Sequence, residues 1–327
     1  MKENQPSLTS MVTAYMRAYH SLYAKNKIFD DFLAYGLLPE DKRKLIEQHF
    51  ALDKQLNTPE NESGSDPTNV LPSLTKTNII ICRARYTEDT LEKAVNQGVK
   101  QYVILGAGLD TFAFRRPDLL EQLEVFEVDH PATQVFKLNR IAELGWKCPA
   151  KLHFVFFSYA FFSHTVNIFL LGWKCPAKLH FVSVDFTKES LENVLSRSLS
   201  YDPTAKTFFS WLGVTRYLTR DEVFATFRSI TKISPSGSTI IFNYTDLDAF
   251  NPEKFPQMQR SHEFFQKIGE PVKTGFNPST LSKDIEILGL RLEENLNPKD
   301  IERLYFQGNT VECSISKHGH IARAIVK

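Results

Sequence analysis

Short apolar runs that stop at a glycine or an aspartate, each followed by helix-patterned sequence, fill the middle of this 327-residue chain. Gln101 to Leu105 meets Gly106, Leu123 to Val128 stops at Asp129, and Leu179 to Val184 stops at Asp185. Thr207 to Leu212 and Ser238 to Tyr244 are two more such runs. Runs this short and this continuously apolar read as strands covered on both faces. Helical sequence separates them: Pro131 to Leu144, Lys188 to Leu199, Asp221 to Ile230 and Pro252 to Ile268. The alternation predicts an α/β fold built on a doubly wound, mainly parallel sheet. Toward the end, Ile285 to Leu290 and Ile321 to Val326 read as further β-type runs.

Ahead of this core, Met11, Ala14, Tyr15, Ala18 and Leu22 recur at helical spacing, so Leu8 to Leu56 reads as helical. Asn57 to Thr77 then loses apolar content and carries a Pro-, Ser- and Gly-rich loop signature. Residues 1–77 are therefore expected to be a helical cap and linker, and 78–327 the core. Lys plus Arg number 39 and Asp plus Glu 38, a net charge of +1, so no basic excess points to nucleic acid. Cys82, Cys148, Cys175 and Cys313 form no C-x-x-C pair, which gives no support to a metal site. Met1 to Pro6 has no apolar stretch of the signal-peptide kind, and a cytoplasmic location is expected. The sequons at Asn61 and Asn243 then carry no meaning.

One stretch occurs twice. LGWKCPAKLHFV spans Leu144 to Val155 and again Leu171 to Val182, with 15 unrelated residues between. Two copies do not make a repeat architecture, which needs three or more. The pattern reads as an insertion at about 144–170 bounded by a direct duplication. The second copy is expected to be the third strand, because Ser183-Val184-Asp185-Phe186 follows it, and the first a surplus excursion. With its flanks the apolar spacer makes an 18-residue stretch, Phe154 to Leu171, near the lower length limit of a membrane span, but its Ser, His, Thr and Asn residues favour an exposed loop, and no membrane association is expected.

Three strand ends carry candidate chemistry. Gly106-Ala107-Gly108 after the first strand allows a tight turn and close approach of a ligand. Thr111 stands where the dinucleotide fingerprint has its third glycine, and no P-loop occurs. Asp129 lies about 20 residues on, where a carboxylate can accept from ribose hydroxyls; it also fits as an N-cap before Pro131. Asp185 beside Phe186 could meet an amino group and ring of adenine, or cap the helix expected from Lys188.

Together GAGLDTFAFR, EVDHP and VDFT resemble the class I S-adenosylmethionine-dependent methyltransferases, which are Rossmann-like. More narrowly they resemble the leucine carboxyl methyltransferase-like family in its microbial O-methyltransferase branch. Arg83-Ala84-Arg85-Tyr86, the run Trp211 to Thr219 and His318 to Ala324 extend the likeness over nearly the whole chain outside the insertion. The resemblance implies S-adenosylmethionine as cofactor and a small-molecule methyl acceptor. It implies that Arg83 or Arg85 binds the methionine carboxylate and that Gly106 and Gly108 lie under the methionine portion. Asp129 would hold the ribose, and Asp185 with Phe186 the adenine. Leu212 stands where family members often carry a glutamate.

A carboxylate acceptor needs no general base, whereas a hydroxyl does. His130, His20, Tyr15 and Tyr217 are candidates, none assigned, and Arg17, Tyr15 and Tyr19 are candidates to face an acceptor. A nicotinamide-dependent oxidoreductase and an inactive methyltransferase-like protein are the alternative readings.

Overall fold

The computed structural model describes residues 5–57, 78–146, 153–155, 178–306 and 318–327. Helices α1 (Leu8–Tyr23), α2 (Ala34–Leu37) and α3 (Glu40–Asn57) precede α4 (Asn78–Asn96). Then come β1 (Gln101–Leu105), α5 (Phe112–Arg115), α6 (Pro117–Leu120), β2 (Glu124–Asp129) and α7 (Pro131–Glu143). Two strands follow, β3 (His153–Val155) and β4 (Leu179–Ser183), then α8 (Leu191–Ser196), β5 (Thr207–Trp211) and α9 (Arg220–Ile233). The last third holds β6 (Thr239–Thr245), α10 (Pro256–Lys267), α11 (Leu281–Glu286), β7 (Leu290–Leu296), α12 (Pro298–Tyr305) and β8 (Gly319–Val326).

All eight strands join one sheet in the order β3-β4-β2-β1-β5-β6-β8-β7. Pairing is parallel from β3 to β6, and β8 runs antiparallel to both β6 and β7. This is the α/β class expected. Every residue of β1 and β5 is buried, as a strand covered on both faces requires. Side chains alternate between two cores. Val103, Leu105, Phe126, Val128, Phe209 and Trp211 meet Val223, Phe227 and Ile230 of α9 on one face. Tyr102, Ile104, Val125, Phe181 and Phe208 meet Cys82, Leu91 and Val95 of α4 on the other. A third cluster joins Met11, Ala14 and Tyr15 of α1 to Leu37, Ile46, Leu109 and Ile141. The N-terminal helices thus pack against the first turn after β1 and against α7.

Chain order departs from sheet order between β1 and β5: β2 and β4 lie to one side of β1, β5 and β6 to the other. Loops leaving the carboxyl ends of β1 and β5 therefore diverge and leave a crevice, the usual ligand position in such sheets.

Several expectations shift. The N-terminal helical stretch is broken into three helices, and the helix expected from Lys188 begins only at Leu191, capped by Ser190. Ile285 to Leu290 is not a strand: α11 covers Leu281–Glu286, and the strand begins at Leu290. The largest correction concerns the duplication. The second copy does form the strand beside β2, but the first copy is no mere excursion. Its His153–Val155 forms β3, the sheet's outermost strand, pairing in parallel with its own duplicate: His153 with His180, Phe154 with Phe181, Val155 with Val182. A strand that fits the sheet once fits beside itself, because the residue pattern and direction are the same. The spacer 156–170 and most of the 57–77 linker lie outside the described residues.

Removing Gly145 to Leu171 joins Leu144 to Gly172 and restores a single copy without altering any residue of β4. Gly145 and Trp146, which close α7 and pack Trp146 at 5.3 Å from the Phe114 ring, are replaced by identical residues. We expect the shortened chain to fold, with a melting temperature no lower than the parent's by calorimetry. Loss of cooperative unfolding would show that β3 is required.

Candidate active site

The crevice opens into a cavity of about 2080 Å³ at the carboxyl ends of β1, β2, β4 and β5, with α1 and α10 along its walls. Its floor is the turn after β1. Gly106 and Gly108 have φ of 70° and 55°, a region that favours glycine. A side chain would also collide at Gly106, where a Cβ would lie 2.2 Å from Val214 Cγ2, and be crowded at Gly108, where it would lie 3.0 Å from Ser10 Cβ of α1. The turn is pinned to β2 by the N–H groups of Gly106 and Ala107, which donate to the Val128 carbonyl at 2.7 and 3.2 Å.

Asp129 ends β2 and lines the cavity. Its carboxylate accepts from the Gly108 N–H and, at 2.6 Å, from the His130 N–H. Burial pushes its pKa up to about 6 against these two hydrogen bonds, which favour the charged form. The helix cap is not Asp129 but His130, whose Nδ1 accepts from Ala132 N–H at 3.3 Å. Asp129 is thereby left to the glycine turn and the cavity. Asp185 likewise caps no helix. It accepts from the Thr187 N–H at 3.0 Å and hydroxyl at 2.7 Å; burial opposes its ionisation, but these bonds hold its carboxyl below the usual range. Phe186 beside it lies 6.3 Å from the Trp211 ring.

Only one of the two arginines ahead of β1 enters the cavity. Arg83 is 9% exposed and donates from Nη1 to Asn243 Oδ1 at 3.2 Å, an oxygen that also accepts from the Gly213 N–H at 2.6 Å. Its Nη2 lies so close to Gly213 that a Cβ there would be 2.8 Å away. Among the described residues no carboxylate pairs with it, and burial, with Arg17 and Arg216 adding repulsion, pushes it down to about 10. Arg85 points elsewhere: it is half exposed, pairs with Asp89 at 2.7 Å and lies outside the cavity lining.

The cap is fastened at both ends of α1. Glu270 is buried and accepts from the N–H groups of Leu8 at 2.8 Å and Thr9 at 3.2 Å, so a carboxylate sits on the positive end of the helix. Further along, Arg17 pairs with Asp31 at 2.8 Å and donates to the Leu109 carbonyl at 2.8 Å. Asp31, 1% exposed, also accepts from the Thr111 hydroxyl at 2.5 Å and the Ala34 N–H at 3.2 Å. Arg17 lines the cavity but is committed to this network. Tyr15 faces away toward Glu47, and His20 Nε2 accepts from the Ile28 N–H at 2.9 Å. Of the candidate bases, His130 and Tyr217 line the cavity, and burial raises the Tyr217 pKa, which makes it a poorer base.

Comparison with known proteins agrees with this geometry. Residues 10–231 match the model of the family described as leucine carboxyl methyltransferase. The chain belongs to that family. Its members are S-adenosylmethionine-dependent methyltransferases, and that class and methyl donor come with membership. Over 343 aligned residues covering all of both chains, the sequence is 34% identical to the "Putative S-adenosyl-L-methionine-dependent methyltransferase YktD" of Bacillus subtilis (strain 168). A relative of the same description in Mycobacterium marinum (strain ATCC BAA-535 / M) is 27% identical over 62% of this chain and 54% of its own. The fold is shared with a DUF574 family protein from Streptomyces avermitilis MA-4680 (TM-score 0.53, 10% identity, 96% and 97% covered). It is shared too with a "putative methyltransferase" from Thermobifida fusca YX (TM-score 0.53, 12% identity, 100% and 97% covered). Family membership removes the nicotinamide-oxidoreductase alternative. No helix among the described residues is long and apolar enough to cross a membrane, and no group of three metal-ligating side chains occurs there.

The structure brings Arg83, Gly106, Gly108, Asp129, Asp185 and Phe186 around one cavity and leaves Arg85 out. Sequence reasoning missed Asn243, Gly213, Glu270 and the role of Asp31. Asn243 had one visible signal, an amide directly after the apolar run Ile240-Ile241-Phe242.

Beneath the site, Glu127 of β2 and Lys137 of α7 pair at 2.5 Å, each 1% exposed. Burial outweighs the lysine and pushes Glu127 up to about 7. Lys137→Met strands a buried carboxyl, and we expect a loss of about 3–5 kcal/mol at pH 8 by denaturant unfolding. The loss should shrink as pH falls and Glu127 protonates, because a carboxyl whose folded pKa is raised destabilises only while charged.

Proposed function

We propose that the chain methylates an oxygen, hydroxyl or carboxylate, of a small-molecule acceptor, with S-adenosylmethionine held on the glycine turn and residues 1–77 capping a 78–327 core. The observation that carries the binding mode is Arg83: a buried guanidinium, open to the cavity, with no carboxylate of its own. A methionine carboxylate answers it with a bidentate pair. Asp129 accepts from the ribose hydroxyls, and Asp185 with Phe186 meets the adenine amino group and ring. Gly106 and Gly108 let the backbone approach the methionine portion without side chains in between.

The bound donor supplies an electrophilic methyl on a sulfonium. The chain's own residues supply position. Asn243 orients Arg83 and the Glu270 contact holds α1 over the cavity, so proximity and orientation can carry most of the rate. A carboxylate acceptor needs no proton removed. For a hydroxyl acceptor His130 and Tyr217 are the cavity's candidates, and His130 is the better of the two, because burial keeps Tyr217 protonated.

Two outcomes test the binding mode. Arg83→Gln should weaken S-adenosylhomocysteine binding by about 1.5–3 kcal/mol, the worth of a charge-assisted pair, whereas Arg85→Gln leaves it unchanged. Equal effects in calorimetric titration would sink the assignment. Binding should also weaken as pH falls through about 6, where Asp129 protonates and loses its capacity to accept from two hydroxyls. Asp129→Asn should flatten that dependence and lower affinity throughout. Tight binding with no turnover on any acceptor would instead favour the inactive reading, to which Leu212 at the cavity wall would then contribute.

A further inference from the structure

Arg216 is a cation in the cavity that this binding mode leaves unused. It lies on the turn Thr215–Tyr217 after β5, with its guanidinium carbon 4.7 Å from the Phe265 ring centre and 5.6 Å from that of Tyr217. Its backbone is fixed, since the Lys273 and Thr274 N–H groups donate to its carbonyl at 2.7 and 3.3 Å. Its Nε is buried and has no hydrogen-bond partner. Among the described residues no carboxylate pairs with it, whereas Arg17 has Asp31 and Arg115 has Glu88. Its charge is felt by its neighbours: it adds to the burial that pushes both Arg83 and His262 down. An oriented, stacked guanidinium with an unsatisfied donor is arranged for a planar anion. Once the methionine carboxylate has taken Arg83, that anion must come from another molecule.

We propose that Arg216 grips an acidic group on the methyl acceptor, so that the acceptor is an amphiphile with an apolar body and an anionic handle. The body would lie along Phe265, which Arg216 overlies, and along Phe264, Met258 and Ile268, cavity-lining residues of the same helix and its C-cap. The handle is distinct from the oxygen that is methylated, because an oxygen held by a guanidinium is a weakened nucleophile. This inference rests on the methyltransferase reading above and narrows its acceptor.

The test uses the full chain saturated with S-adenosylhomocysteine, whose own binding is measured first. Benzoate, phenylacetate and hexanoate are then each titrated against the corresponding amide. At least one acid should bind about tenfold or more tighter than its amide, the scale of one charge-assisted pair. Arg216→Gln should erase that ratio and change S-adenosylhomocysteine affinity far less than Arg83→Gln does, and Arg216→Lys should restore part of the ratio. Acids that bind no better than their amides overturn the proposal, as does a preference that survives Arg216→Gln. Failure of S-adenosylhomocysteine itself to bind would overturn the reading beneath it, and is seen before any acid is added.

Discussion

A guanidinium buried without a carboxylate is the constraint around which this site is arranged. Removing a charge from water is costly unless fixed dipoles or a counter-charge replace the lost solvation. For Arg83 the chain provides one side-chain carbonyl, from Asn243, and leaves the remaining donors facing a cavity. Three elements must agree for this to work. Helix α4 delivers the arginine, β6 delivers the asparagine, and the loop after β5 passes through Gly213, where a side chain would collide with the guanidinium. The charge is costly to the free chain and complementary to an anionic guest, so the same arrangement that lowers stability creates affinity.

The second constraint is steric and operates at the glycine turn. Val214 closes off Gly106 and Ser10 crowds Gly108, so the cap and the β5 loop converge on the same few backbone atoms. Electrostatics then fixes what sterics has brought together. Glu270 holds the start of α1, and the Arg17–Asp31 pair ties its later turns to Leu109 and Thr111 just beyond the glycines. The cap is thus not an independent layer resting on the core. Its position is coupled to the turn on which a donor would sit, and movement of one displaces the other.

Much of this was legible in the sequence for a physical reason. Strands buried on both faces must be apolar throughout, and they must stop where polar chemistry begins, so β1, β2 and β4 announced both themselves and Gly106, Asp129 and Asp185. Arg83 and Arg85 could not be separated, because two residues two apart on a helix point to different sides and spacing alone does not say which side is inward. The roles of Asn243 and Glu270 are hidden for another reason: each acts through a partner more than a hundred residues away, Arg83 in one case and the start of α1 in the other. Ile285 to Leu290 misled because a short apolar run suits a buried helix turn as well as a strand. The first copy of the duplication reads as surplus because no site residue follows it, yet an open sheet edge accepts any strand with the right pattern.

That edge has a consequence for how the chain finds its structure. During folding β2 meets two candidate partners of identical sequence, and no contact within the repeated segment favours one over the other. The choice is degenerate at the level of the sheet and is broken only by what comes after: Ser183-Val184-Asp185-Phe186 behind one copy, Phe156-Phe157-Ser158-Tyr159 behind the other. A chain that seated the first copy inside would keep the same strand pairings through the repeat and yet place a serine in the position of Asp185. Correct assembly here is therefore a problem of kinetic bookkeeping between equals, and a well-formed sheet is not by itself evidence of a well-formed site.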